Sequence, residues 1–248
     1  RDWRLGQINK LTNVSVYLDS TLTAQDVLDF GAEHVVLATG CHWRRDGFGR
    51  SHGLGIPGFA EHPKVYTLDD LMDGRIPAGR VAVLDDDGFY YASIAADQLH
   101  AHGCEVVYVT PEDSVAPWSQ NTLDYRHIRK RLAKLGIEVL VSHTVAGYDG
   151  EILTLEHAWE DRQQPLAVDA VLTVTARLPN DALYQSLLER EAEWADAGIQ
   201  SVRNIGDSDA PGLIAHAVYA GHRYARELEE PVTGEVAFKR HFHGVAPE

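Results

Sequence analysis

The chain has 248 residues of which 44% are hydrophobic, enough to bury a sizeable core as one large domain or two smaller α/β lobes. Its 37 acidic residues outnumber 22 basic ones for a formal charge of −15, with no long basic stretch to offset it, so nucleic acid is excluded as the expected partner. No apolar run approaches the roughly 20 residues of a membrane span and the N-terminus lacks the layout of a signal peptide, so no membrane partner and a cytoplasmic location are expected.

The opening Arg1-Asp2-Trp3-Arg4-Leu5 reads as the middle of an amphipathic segment, which leads to the expectation of a piece of a longer chain. Thereafter short β-branched runs alternate with longer helical patterns, the signature of parallel strands joined by crossover helices. Strands are expected at 14–18, 34–38, 81–85, 105–109, 138–142, 170–175 and 202–205. Apolar residues at three- and four-residue spacing predict helices at 93–102, 121–135, 181–195 and 211–229. In the last, Leu213, Ile214, Ala217, Tyr224 and Leu228 line one stripe suited to packing on a sheet. Gly- and Pro-rich loops fall at 47–58 and 73–79, and the residues 152–155 after Asp149-Gly150 point to a small hairpin. Cys41 and Cys104 are too few and too isolated for a disulfide framework, a metal knuckle or an iron–sulfur centre, and read as reduced structural thiols.

The fold class expected from this pattern is α/β and Rossmann-like, two lobes with one inserted in the other. Residues 1–57 and 177–248 are expected to form an outer lobe and 58–176 the inserted inner lobe.

Three strand ends carry chemistry. Val35 to Gly40 is an apolar strand running into a small corner, where missing side-chain bulk lets backbone approach a ligand. The run Val171 to Asn180 repeats that design at the other crossover between lobes. Third, Asn204-Ile205-Gly206-Asp207 is followed by Ala210-Pro211-Gly212 at the head of the long helix, so an acceptor carboxylate and helix N-terminal donors converge at the carboxyl edge of a sheet.

The order of these corners resembles the two-dinucleotide-binding-domain flavoproteins, in which an Ala-Thr-Gly corner enters an inserted nicotinamide lobe, a Thr-Gly-Arg-x-Pro-Asn corner leaves it, and a Gly-Asp motif contacts the flavin nucleotide. Ala38-Thr39-Gly40, Thr175-Ala176-Arg177-Leu178-Pro179-Asn180 and Gly206-Asp207 match, with Ala176 standing where that family has glycine. The stretches 31–40 with His42-Trp43, 68–79, 121–132, Arg190-Glu191-Ala192-Glu193-Trp194 and 205–229 are similar to the C-terminal half of the trimethylamine, dimethylamine and histamine dehydrogenase family, and more distantly to 2,4-dienoyl-CoA reductase. The resemblance implies ADP or FAD at the outer lobe, with contacts from Thr39, Gly40, Trp43, Thr175, Arg177, Gly206, Asp207, Pro211 and Leu213. It also implies an FMN-bearing barrel and a 4Fe–4S cluster in the remainder of the enzyme, electron-transfer flavoprotein as acceptor, and a homo-oligomer for the full enzyme. No catalytic or metal-ligating residue is expected in this chain, and the fragment alone is expected to be inactive.

Departures from the family pattern shape the expectation further. The first glycine fingerprint would lie before Arg1, which makes nucleotide binding by the isolated chain weak or absent. After Val81-Ala82-Val83-Leu84, where a second fingerprint should offer glycines to a pyrophosphate, stand Asp85-Asp86-Asp87-Gly88-Phe89-Tyr90-Tyr91. Three carboxylates and two tyrosines favour a retained fold with a lost nicotinamide site. His241 and His243 alternate like metal ligands but have no completing ligand and read as a solvated tail. The basic run 126–134 reads as an amphipathic helix with a charged outer face, and His216 and His222 as ordinary helix positions. Two alternatives remain open at this stage: an NAD(P)H-dependent dienoyl-CoA reductase-like flavoprotein domain, and a non-catalytic assembly or docking module.

Overall fold

The computed structural model describes residues 2–228, and these fall into two units. The first takes the stretch running to Thr39, Asp181–Asp209 and the chain from Ala215; the second takes Gly40–Asn180 and Ala210–Ile214.

In chain order the first unit opens with α1 (Asp2–Ile8), α2 (Ala24–Phe30) and β1 (His34–Leu37). The second holds β2 (Cys41–Trp43), β3 (Val65–Thr67), α3 (Leu68–Met72), β4 (Arg80–Asp85), α4 (Tyr91–Ala101), β5 (Glu105–Val109), α5 (Tyr125–Leu135) and β6 (Glu138–Leu140). It continues through β7 (His143–Tyr148), β8 (Ile152–His157), β9 (Gln163–Ala167), β10 (Ala170–Val174) and β11 (Arg177–Pro179). The chain then returns to the first unit with α6 (Ala182–Leu188), β12 (Ser201–Asn204) and, from Ala215, α7 (Ile214–Glu227).

The second unit is built on a five-stranded parallel sheet of order β3-β10-β4-β5-β6. Its central strand shows why. From Val81 to Asp85 every residue of β4 is buried, as a parallel strand covered on both faces requires. Alternation then splits the side chains: Val81 and Val83 pack with Ala92, Leu99 and Leu132 of α4 and α5, while Ala82 and Leu84 pack with Leu153 and Leu155 of β8. The second cover is therefore the antiparallel sheet β7-β8-β9, which lies on the face that α4 and α5 leave open. The 152–155 hairpin expected from sequence is the middle of that larger sheet. An antiparallel pair, β2 with β11, stands at the entry and exit of this unit.

The first unit pairs β1 with β12 in parallel, Leu37 beside Asn204. Its core is Val27, Leu28, Leu37, Leu187, Ile199 and Val202. Thr23 and Asp26 close a reciprocal capping box that fixes the start of α2.

Several sequence expectations are corrected. The 14–18 run forms no strand: Val14, Val16, Tyr17 and Leu18 are exposed and no neighbouring strand in the described residues pairs with them. A strand pattern without a ladder partner leaves its backbone groups to water and gains no strand geometry. The expected 181–195 helix stops at Leu188 and resumes only as a 3-10 turn at Glu191–Glu193. The stripe of the last helix is not buried: no described residue of α7 is, and Ile214 is 71% exposed. Amphipathicity states which face seeks cover, not whether cover is present.

Candidate functional site

Because β1 and β12 run side by side in the same direction, the residues that follow them emerge at one carboxyl edge of the first unit: Thr39 after β1, Gly206 and Asp207 after β12. The Ile205 N–H donates to the Leu37 carbonyl (2.9 Å), extending the register to the turn itself. Gly206 adopts φ +66°, which L side chains rarely tolerate, and opens a 3-10 turn through Ser208. Ser208 is fully buried, its Oγ 2.6 Å from Asn204 Oδ1 and 2.8 Å from the Ile205 carbonyl, while Asn204 Nδ2 donates back to the Ser208 carbonyl (2.5 Å). This lock presents the half-buried Asp207 on a fixed turn. A Cβ placed on Gly206 would meet only Ala217 of α7, at 3.7 Å, so a glycine here leaves a cradle between strand end and helix. Strand end, glycine, carboxylate and helix together fit the ribose or phosphate end of an adenine nucleotide.

The other sequence-predicted positions lie in the second unit. Gly40 follows Thr39 directly; its carbonyl accepts from the Asn180 N–H (2.9 Å) and a side chain there would meet nothing within 4 Å. Trp43 and Arg177 face each other across the β2–β11 pair, and the Arg177 guanidinium lies 5.1 Å from the Trp43 ring and 5.4 Å from Tyr91. Arg177 Nη1 also donates to the Gly212 carbonyl (3.1 Å), which ties the 210–214 segment bearing Pro211 and Leu213 to this stack. Thr175 directly follows β10, buried, with no hydrogen-bond partner for its hydroxyl.

At the carboxyl end of β4, where a nicotinamide dinucleotide would place its pyrophosphate, the chain satisfies itself. The Asp85 carboxylate is fully buried and accepts from Tyr108 Oη and from the Gly88 N–H (2.9 Å). Burial pushes its pKa up to about 7 against the hydrogen bonds from Tyr108 and Gly88, and Asp86 and Asp87 add repulsion in the same direction. Asp86, also buried, accepts from Ser51 Oγ (2.7 Å) and the Ser51 N–H (2.9 Å). Asp87 accepts from the Phe89 N–H (3.3 Å), and burial raises its pKa although Arg177 pulls the other way. Arg50 crosses the turn, donating to the Asp86 carbonyl (3.0 Å) and to Glu112 (2.7 Å). Two amides that a phosphate would need are thus held by the turn's own carboxylates, and Trp118 and Arg50 cover Gly88. These residues do not fit a dinucleotide pyrophosphate.

Sequence reasoning placed the acidic turn but missed the groups that close it. Arg50, Ser51, Tyr108 and Trp118 lie between 20 and 40 residues away in sequence and carry no local signal. The Ser208 lock was missed although Asn204 and Ser208, four apart around Gly206, are residues that bond neighbouring backbone. His216 and His222 sit exposed on α7, and His241 and His243 lie outside the described residues. Cys104 is buried, its Sγ on the Pro77 carbonyl, and Cys41 is half-buried in β2; neither is in a disulfide. Among the described residues there is no cluster of three metal-ligating side chains, and no helix is long and apolar enough to cross a membrane.

No family model matches the chain. It is 30% identical to dimethylamine dehydrogenase of Hyphomicrobium sp. (strain x) over 93% of its length. Histamine dehydrogenase from Rhizobium sp. 4-9 superposes with a TM-score of 0.93 at 40% identity over 99% of this chain. The 6-hydroxypseudooxynicotine amine oxidase from Pseudomonas geniculata N1 does so with a TM-score of 0.84 at 41% identity over 90%. The chain spans 34%, 36% and 33% of these three proteins respectively, about a third of each. The fold is that of the FAD/NAD(P)-binding domains of flavoproteins. Over the third of their length that it spans, the chain belongs to the family of dimethylamine dehydrogenase and histamine dehydrogenase.

Proposed function

We propose that this chain is the C-terminal nucleotide-binding region of an amine dehydrogenase-type oxidoreductase. Its outer lobe, 1–57 and 177–248, holds ADP or FAD, and its inserted lobe, 58–176, keeps the nicotinamide-binding fold without the nicotinamide. Oxidation of the amine belongs to an FMN barrel with a 4Fe–4S cluster in the remainder of the enzyme, and the electrons leave to electron-transfer flavoprotein. The full enzyme is a cytoplasmic homo-oligomer.

The observation that carries this reading is the contrast between two strand ends in one family member. Gly206 leaves room on its Cβ side beside α7, with Asp207 next to it and Thr39 at the same edge, whereas the turn after β4 spends its Gly88 and Phe89 amides on Asp85 and Asp87. The same contrast weighs against the NAD(P)H-dependent reductase reading. Calorimetric titration of the chain with ADP, FAD and NADH tests it. ADP or FAD is expected to bind more tightly than NADH, and Asp207→Ala is expected to weaken the adenine nucleotide at least fivefold while leaving the fold intact by circular dichroism. Micromolar NADH binding by the unmodified chain would restore the reductase reading, and amine-dependent dye reduction by these 248 residues alone would refute the assignment of the chemistry elsewhere.

A further inference from the structure

Helix α5 is anchored by Leu132, buried, with Ile128 and Leu135 half-buried against the core that it shares with α4. Its outward face is unusual for this chain. Arg126, Lys130 and Lys134 follow one another at four-residue spacing, each about two residues out of phase with Ile128 and Leu132, hence on the opposite side of the helix. All three are exposed, and none has a carboxylate or hydrogen-bond partner among the described residues. Arg131 and Arg129 are accounted for: Arg131 binds Asp97 of α4 through both its Nε and Nη2 (2.9 and 2.8 Å), and Arg129 stacks on Tyr125. The eleven residues of α5 include no Asp or Glu, in a chain that has 37 of them.

Like charges four apart on a helix destabilise it, and an alternating Glu would both relieve the repulsion and keep the surface soluble. A row of three unpaired cations, about 12 Å long at 1.5 Å per residue, has no stabilising role within the described structure. At its N-terminal mouth Leu123 stands 83% exposed with φ +66°, a left-handed conformation that a leucine adopts only at a cost. An exposed apolar residue leading into a row of cations is the composition of an electrostatically guided protein contact.

We propose that the outer face of α5, with Leu123, docks an acidic protein surface, its carboxylates pairing with Arg126, Lys130 and Lys134. Nucleic acid fits this face less well because the chain's charge of −15 repels a long polyanion beyond the reach of three cations. An anionic membrane fits less well because the apolar stripe of α5, which an interfacial helix would insert, is turned into the core. The inference does not depend on the amine dehydrogenase reading; it concerns the surface of this chain alone.

The test measures fluorescence anisotropy of a labelled helical peptide carrying Glu at four-residue spacing, with an oligothymidylate of similar charge and phosphatidylserine vesicles as competing probes. The acidic peptide is expected to bind the chain, more weakly as salt rises, and to bind the charge-reversed Arg126→Glu/Lys130→Glu/Lys134→Glu variant at least tenfold more weakly. The neutral triple variant with Gln at the same positions serves if charge reversal disturbs folding. Leu123→Ser is expected to weaken binding about threefold with an unchanged salt dependence. Equal binding by parent and both triple variants, no binding of the peptide at low salt, or a preference for oligothymidylate or vesicles over the peptide would each overturn the proposal.

Discussion

The carboxyl ends of β4 and β12 are the same local design, a parallel strand running into a tight glycine-bearing turn, and the side chains around them differ. After β4 three consecutive carboxylates turn inward and capture the turn's own amides, a serine and a tyrosine, and Arg50 and Trp118 lie across Gly88. After β12 a single half-buried carboxylate follows Gly206, whose nearest neighbour on the Cβ side is an alanine at 3.7 Å. The strand–turn–helix element is therefore not itself a nucleotide site. A nucleotide needs the side chains around such a turn to leave its backbone accessible, and after β4 they do not.

The largest expected consequence is a pH dependence specific to the β4 end. The folded chain holds Asp85 with a pKa of about 7, above the ordinary 3.8, so between these values the folded state binds the proton more tightly than the unfolded state. For a carboxylate raised in this way stability falls as pH rises, beginning near 4 and levelling off above 7. The gap corresponds to a penalty of roughly 4 kcal/mol at pH 8. Asp87, raised as well, adds to it with the same sign. Urea denaturation at pH 5 and pH 8 should show the loss, and Asp85→Asn, which keeps an acceptor for Gly88, should remove most of it and make the protein more stable than the parent at pH 8. A parent whose stability is flat over that interval would mean that Asp85 is solvated in the folded state.

A steric version of the same comparison separates the two glycines. Gly88→Ala must tolerate φ +73° and place its methyl 2.8 Å from Trp118 and 2.9 Å from Arg50. Gly206→Ala meets only the backbone cost of φ +66°. The left-handed conformation costs about 1–2 kcal/mol for an L residue, so Gly206→Ala is expected to lose about 1 kcal/mol and Gly88→Ala, with overpacking added, about 3 kcal/mol. Thermal melts of the two variants side by side give the answer. Equal losses would mean that Trp118 and Arg50 move aside freely, and that the covered turn is less firmly closed than its contacts imply.

What was legible in the sequence follows the same division. β4, β5 and β10 are buried on both faces and so are written as unbroken apolar runs, which any reading of periodicity finds. β1 and β12, with the Thr39-Gly40 and Gly206-Asp207 corners after them, were equally visible. The strands β2, β3 and β11 have three residues each, too short to carry a period, and β9 reads Gln-Gln-Pro-Leu-Ala, with a proline that argues against a strand. The helix α2 was passed over although Thr23 and Asp26 carry its capping signal. The acidic run 85–87 was read as a charged barrier to a dinucleotide, but Asp85 and Asp86 are buried acceptors and Asp87 is a half-buried one. That distinction depends on Ser51 and Tyr108, which only the tertiary fold brings to it.

The smallest expected difference concerns the two serines that hold these turns. Ser51 donates to Asp86, a buried group that without this hydroxyl keeps only the Ser51 N–H as donor to its carboxylate; Ser208 sits among neutral acceptors at Asn204 and Ile205. A hydrogen bond to a charged group contributes about 1.5–3 kcal/mol and a neutral one about 1 kcal/mol. Ser51 is itself exposed, so water replaces part of what the variant removes. Ser51→Ala should accordingly cost about 2 kcal/mol and Ser208→Ala about 1 kcal/mol, read from urea midpoints at constant slope. Their ligand responses should run in the opposite order. Loosening the Ser208 lock frees the turn that presents Asp207 and should weaken ADP binding several-fold, whereas loosening Ser51 should leave ADP unaffected. If instead Ser51→Ala gained micromolar NADH affinity, the Asp86 latch would be what closes the β4 turn, and the inserted lobe would be a nucleotide site shut by a single contact rather than one rebuilt as core.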